Sequence, residues 1–196
     1  MSDRPRTFTE QARRRQIIDG TIELVAERGY AGTSLSAIAA RSGISKASVL
    51  YHFASKDEVV AATFADVVDG FVADVGAAVD AADGPEAMLL AYLHSSLAHL
   101  RAHPARMKVL VEGLVADRDA PAPGSPAAAS RWQAVAGILA DGQAAGVFRA
   151  FDPRALAVIV SGALDAVAAE WLGDAAFDLD AAAAELETAV LRMLRG

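Results

Sequence analysis

The sequence predicts an all-α protein of about nine helices, with an N-terminal three-helix head on a larger helical body. Three observations carry this reading. Alanine, the strongest helix former, supplies 46 of the 196 residues. Apolar residues recur at three- and four-residue spacing in one segment after another, and no segment alternates as a half-buried strand would. Aromatic residues make up 6% of the chain, and β-branched residues are comparatively few, a poor supply for a sandwich or barrel.

Each helix has its own signals. Residues 1–9 are polar and read as a disordered arm. A first helix is expected over 10–28, with Ile18, Ile22 and Val25 on one stripe, widened by Ile17 and Leu24, and Gly29 as its stop. Gly32, Thr33 and Ser34 precede a short helix over 35–41, with hydroxyls available as N-caps. After the turn Ser42-Gly43-Ile44-Ser45, Ser45 caps a third helix over 46–52. Ser55 caps a fourth, reaching about Ala81, with Asp57 and Glu58 at its positive end. Asp83-Gly84-Pro85 breaks the chain before a helix over 86–101 that repeats Leu89, Leu93, Ser96, Leu97 and Leu100. His103-Pro104 breaks it again before a helix to about Ala116. The proline-rich stretch 117–126 reads as a loop. Helices over 127–145, from Pro153 with Asp152 as N-cap, and over 178–194 complete the set.

Charge divides the chain. The net charge is −7. Residues 1–56 hold nine basic and five acidic side chains, a net +4, and the remainder carries −11. A basic head on an acidic body points to nucleic acid, because clustering rather than net charge is the electrostatic footprint.

The segment Thr33 to Lys56, TSLSAIAARSGISKASVLYHFASK, carries the most information. Two short helices joined by a turn containing Gly43 fit a helix-turn-helix. Leu35, Ile38, Ala39, Ile44 and Val49 would pack the two helices on the first. The second then presents Lys46, Ser48, Tyr51 and His52, groups suited to phosphates and base edges. Lys56, Thr33 and Ser34 stand at helix starts, where free backbone N–H groups favour a phosphate. Arg13, Arg14 and Arg15 are candidates for phosphate or minor-groove contact.

Residues Tyr30 to Lys56 resemble the N-terminal domain of the tetracycline-repressor-like (TetR/AcrR) regulators. The matching pieces are Gly29-Tyr30, Thr33-Ser34, Ile38-Ala39, Gly43-Ile44-Ser45-Lys46, Tyr51-His52-Phe53 and Ser55-Lys56. Gly146-Val147-Phe148-Arg149 followed by Asp152-Pro153 is similar to the loop before that family's penultimate helix. Two positions depart from the pattern: Ala47 stands where most relatives have Gly or Pro, and tyrosine falls at Tyr51 rather than at Leu50. The resemblance implies a DNA-binding set of Thr33, Ser34, Ser36, Ser45, Lys46, Ala47, Ser48, Tyr51, His52 and Lys56. It implies an arm (1–9), a helix-turn-helix domain (10–56), a connecting helix (57–81) and a ligand-binding and dimerisation domain (82–196).

The resemblance further implies a homodimer built from the last two helices, and the stripes Leu156, Val160, Ala163, Val167 and Leu186, Val190, Met193 suit such an interface. The DNA partner is then a double-stranded, pseudo-palindromic operator. The family's effector site lies in the body, and candidate lining residues are Phe64, Met88, Tyr92, His99, Met107, Leu110, Trp132 and Trp171. An acidic, alanine-rich body favours an apolar or cationic small molecule. The expected function is sequence-specific transcriptional regulation, as a repressor released by its effector. The alternative is a helical ligand-binding or interaction module that does not bind DNA.

Several classes are not expected. The longest strongly apolar run, 155–164, is ten residues and no leader pattern opens the chain, so no membrane partner and a cytoplasmic location are expected. There are no cysteines. His94, His99 and His103 invite a metal reading, and His99 and His103 have the i, i+4 spacing that can hold zinc. With no HExxH motif and no evident third ligand, neither metal nor cofactor is expected. No phosphate loop, dinucleotide fingerprint or nucleophile elbow is present, so the chain is not expected to be an enzyme.

Overall fold

The computed structural model describes residues 7–119 and 126–195, with side chains described at 7–112 and 132–195. Among them run nine helices: α1 (Phe8–Arg28), α2 (Leu35–Arg41), α3 (Lys46–His52), α4 (Lys56–Asp80), α5 (Pro85–Ala102), α6 (Pro104–Asp119), α7 (Pro126–Ala144), α8 (Pro153–Gly173) and α9 (Leu179–Leu194). The described residues contain no strand.

Local chemistry sets the boundaries. α1 starts two residues before the expected position, because Thr7 and Glu10 form a capping box: Glu10 N–H donates to the Thr7 hydroxyl, and Thr7 N–H donates to the Glu10 carboxylate at 2.8 Å. The expected arm therefore reaches no further than Thr7, and residues 1–6 lie outside the described residues. α1 stops at Gly29, whose φ of 68° lies in the left-handed region. α5, α6, α7 and α8 all open on proline, whose missing N–H costs nothing at a first turn. Asp152 and Asp178 cap α8 and α9 by accepting from two backbone N–H groups each. The expected loop over 117–126 begins later, since α6 runs to Asp119; its centre, 120–125, lies outside the described residues.

Two apolar clusters form, and α1 and α4 belong to both. Ile17, Leu24 and Val59 pack with Ile38, Ala39, Val49 and Phe53 in the head. Ile22, Val25, Val67, Phe71 and Val75 pack with α5 to α9 in the body, and the half-buried Ile18 touches both clusters. The body cluster is continuous, running from Leu89 and Leu93 on α5 through Val135 and Leu139 on α7 to Val160 on α8 and Val190 on α9.

The stripes expected to form a dimer interface face inward instead. Leu156, Val160, Leu186 and Val190 are buried in this chain's own core, and Ala163, Val167 and Met193 pack half-buried against it. The reason is helical spacing: Leu156, Val160, Leu164 and Ala168 recur every four residues and share the inner face of α8. The outer face of α8 is left to Ala155, Val158, Ile159, Gly162 and Ala166, all exposed, beside Ala181, Ala184 and Ala189 on α9. Taken whole, α8 is 21 residues and by length and composition sufficient to cross a membrane, which a ten-residue run had not suggested. Its inner face is packed into the body cluster.

Candidate nucleic-acid interface

The helix-turn-helix is assembled from short local bonds. Ser34 caps α2 by accepting from Ala37 N–H at 3.2 Å, and Ser45 caps α3 by accepting from Ser48 N–H at 3.1 Å. The turn closes with Gly43 N–H on the Ala40 carbonyl (3.2 Å) and Ile44 N–H on the Ala39 carbonyl (3.0 Å). Gly43 has φ 65°, and a β-carbon there would meet no atom within 4 Å, so its requirement is conformational rather than steric. Gly20 has the opposite reason. A β-carbon on it would lie 2.6 Å from Ser42 Oγ, so glycine lets α1 approach the end of α2.

Ile38, Ala39, Val49 and Phe53 are buried and fix the roll of α3. That roll turns Lys46, Ala47, Leu50 and Tyr51 outward; Tyr51 is 76% exposed and Leu50 42%. The one-residue shift of the tyrosine thus leaves it on the outer face, set edge-on against His52 at 5.0 Å. Ser48 and His52 are half-buried beside this face, and Ser34, Ser36 and Ser45 are exposed at its flank. Leu50 was missed by the sequence reading, which treated it as a departure rather than a surface group; its place one residue before Tyr51 was the available signal.

Three cations expected at phosphates are engaged within the protein. Arg14 lies over the Phe53 ring at 3.8 Å, donates to the His52 carbonyl, and is 3.9 Å from Glu58. It fastens the C-terminus of α3 to α1. Arg15 is 3.7 Å from Asp66. Lys56 donates to the Tyr30 carbonyl at 2.9 Å, while Glu58 accepts the Ala54 N–H at 2.7 Å, so the start of α4 already has a carboxylate. Thr33 is also withdrawn: it is buried, and its hydroxyl donates to the Gly29 carbonyl at 2.9 Å. Arg13 remains on the surface of α1, bonded to Gln16 at 2.7 Å. Gln16 in turn donates to the Ser42 carbonyl at 2.6 Å and holds the turn against α1.

The electrostatics of the head are local. Burial, and then the charge of Arg14, hold the His52 imidazole below the usual histidine range. Arg41 is gripped by Glu27 and Glu23, which lowers the Glu27 carboxyl and removes Arg41 from the set of available cations.

Head and body meet at α6. Tyr30 donates from its hydroxyl to the Val109 carbonyl at 3.3 Å, and Lys108 donates to the Ala26 carbonyl at 2.6 Å. Burial, with the nearby Glu112, pushes the Tyr30 phenol up to about 12. Arg106 bonds Asp66 on α4 at 2.8 Å and approaches Asp19 on α1 at 3.5 Å.

The expected effector-site residues all lie in or against the body core. Tyr92, His99, Met107 and Leu110 are buried, and Phe64, Met88, Trp132 and Trp171 pack half-buried around it. The sequence reading missed Ser96 and Ser161, whose hydroxyls are buried without a protein hydrogen-bond partner. Ser96 falls on the apolar stripe of α5 and Ser161 on the buried face of α8, which places each inside but does not reveal its lack of a partner.

This geometry defines a helix-turn-helix protein: a tight, glycine-dependent turn, a second helix with a polar and aromatic outer face, and a helical body clasped behind it. Residues 17–63 match the family model described as bacterial regulatory proteins, tetR family. That match lies in α1 to α4 and contains the helix-turn-helix. It is 35% identical over 88 residues to the HTH-type transcriptional regulator BetI of Burkholderia thailandensis, a match covering 44% of this chain and 45% of that one. The chain thus spans less than half the length of the curated relatives it matches. A TetR-like transcriptional regulator from Rhodococcus sp. RHA1 superposes with a TM-score of 0.73 at 26% identity, over 96% of this chain and 97% of the other. The regulator FadR from Bacillus subtilis, solved with stearoyl-CoA, shares the fold, with a TM-score of 0.75 at 18% identity over 92% and 99% of the two chains.

Proposed function

We propose that this chain is a cytoplasmic transcriptional repressor that binds a pseudo-palindromic operator as a homodimer and leaves it when a small molecule enters the body. The observation that carries the reading is the outer face of α3, with Lys46, Leu50 and Tyr51 exposed together on a helix whose other side is locked by Val49 and Phe53. Lys46 and Tyr51 contact bases or phosphates, Leu50 and Ala47 meet thymine methyls, and Ser34, Ser36, Ser45 and Ser48 bond the backbone alongside. His52 reaches phosphate at the end of the helix. Thr33 and Lys56 shape the site from within.

The dimer forms through the outer face of α8 and α9. Ala155, Gly162 and Ala166 let two copies of α8 approach closely, and Val158 and Ile159 supply the apolar area. Two recognition helices then address successive major grooves about 34–36 Å apart. The effector has an apolar body, as the lining implies; the long acyl chain bound by the FadR neighbour is a ligand of that kind. Ser96 and Ser161 bond its polar atoms. Entry of the effector moves α6 and, through Tyr30 and Lys108, the head. Only a ligand with different affinities for the two arrangements can do this.

Fluorescence anisotropy with the intergenic DNA upstream of the chain's own gene tests the reading. The expected result is saturable binding that exceeds binding to shuffled DNA and weakens steeply with salt. Equal affinity for both DNAs would leave the ligand-binding module without DNA recognition as the better account.

A further inference from the structure

We propose that Asp74, His99 and His103 form a site for one divalent transition-metal ion, zinc foremost, where α4 meets the end of α5. The sequence places two histidines four residues apart; the fold adds the third donor from a helix 25 residues earlier in the chain. One ligand atom from each of the three residues lies within 4.8 Å of the other two. His99 Nδ1 and the Asp74 carboxylate are already 2.8 Å apart in a hydrogen bond. Two donors on a tetrahedral zinc stand about 3.3 Å apart, given metal–ligand distances near 2.0–2.2 Å. Seating the ion therefore opens one contact slightly and draws His103 in.

The donor set selects the ion. Two imidazoles and one carboxylate suit zinc and its neighbours in the first transition row, whereas magnesium and calcium prefer all-oxygen shells. The central ligand is held in place. The His99 side chain is 4% exposed, packs edge-to-face against Phe71 at 5.5 Å, and leaves its Nε2 without a hydrogen-bond partner. His103 is the C-cap of α5 and its N–H donates to the His99 carbonyl at 2.9 Å, which keeps the two rings close, with centroids 4.6 Å apart and planes inclined by 51°. Asp74 and His103 are exposed, so an ion has a route in and water can complete its shell. Arg106, close after His103 in the chain, is bonded to Asp66 and Asp19 and so partly neutralised.

The site requires neither DNA binding nor an organic effector. Its consequence is mechanical: an ion there ties α4, whose first turn belongs to the head, to the C-terminal end of α5.

The test is zinc competition against a fluorescent chelator, using the untagged full-length chain stripped with EDTA, in millimolar magnesium. One zinc per chain is expected. Loss of a mere supporting partner of a metal ligand lowers affinity about 10–100-fold, so Asp74→Asn and His103→Ala should each lower it at least tenfold. Both replace exposed side chains, and their melting curves establish folding. His94→Ala, on the same helix but paired with Glu187, should bind as the parent does. Cobalt(II) titration of the parent chain should give visible d–d absorption, a readout that does not depend on any variant. Failure to compete, parent-like affinity in Asp74→Asn or His103→Ala, or no cobalt spectrum would each overturn the proposal.

Discussion

Arg14 shows how one residue's chemistry decides its role. A guanidinium over an aromatic face and on a carbonyl is a fastener, and its charge adds to burial in holding the neighbouring His52 below the ordinary histidine value. Because the fold holds His52 below its ordinary value, the unfolded chain takes up a proton first as the pH falls. Stability attached to His52 is therefore full above about pH 6.5, the ordinary histidine value, and is lost as the pH drops through the folded value. The expected outcome is that the parent chain loses more melting temperature than His52→Gln between pH 7.5 and 5.5, measured by circular dichroism. Lys46 belongs to the opposite category, an exposed cation at the start of α3. Lys46→Ala should lower operator affinity by roughly 1–3 kcal/mol while changing random-DNA affinity much less, as read by anisotropy on both DNAs. Of the candidate site, α3 was legible because capping serines, a turn glycine and a buried valine leave few ways to roll seven residues. The fates of Arg14, Lys56 and Thr33 were not. Each is engaged by a carbonyl or ring 4 to 39 residues away along the chain, on partners that spacing does not reveal.

At the scale of elements, the helix ends were largely written in the sequence, since caps and prolines act within four residues. Facing was harder. α8 and α9 carry apolar residues on two sides, and periodicity found the stripes that the core took. A substitution on the other side should therefore act on assembly rather than folding. Ile159→Glu is expected to yield a folded monomer by light scattering, with operator affinity strongly reduced, whereas a dimer of unchanged mass would remove this face from the interface. The turn offers a cleaner energetic test. Gly43→Ala places a β-carbon in open space at a left-handed φ, so it should cost about 1–2 kcal/mol by denaturant unfolding.

Across the whole molecule, the head touches the body through three bonds from α6 as well as through packing. Removing one of them separates binding from response. Lys108→Ala should keep operator affinity within about threefold, because the helix-turn-helix is untouched, but should weaken release by effector, a loss of coupling free energy of about 1 kcal/mol. Titrating effector against the preformed DNA complex of each variant measures this. The charge of the chain divides near residue 56, whereas the apolar packing divides along the length of α1. α1 turns Ile17 and Leu24 to one cluster and Ile22 and Val25 to the other. A helix shared in this way has no boundary at which the polypeptide could be cut. An excised head would carry an α1 with one apolar flank bare to water, prone to aggregate before it could recognise anything. The two clusters should instead melt together, so that any ligand stabilising the body also raises the temperature at which the reading surface is lost.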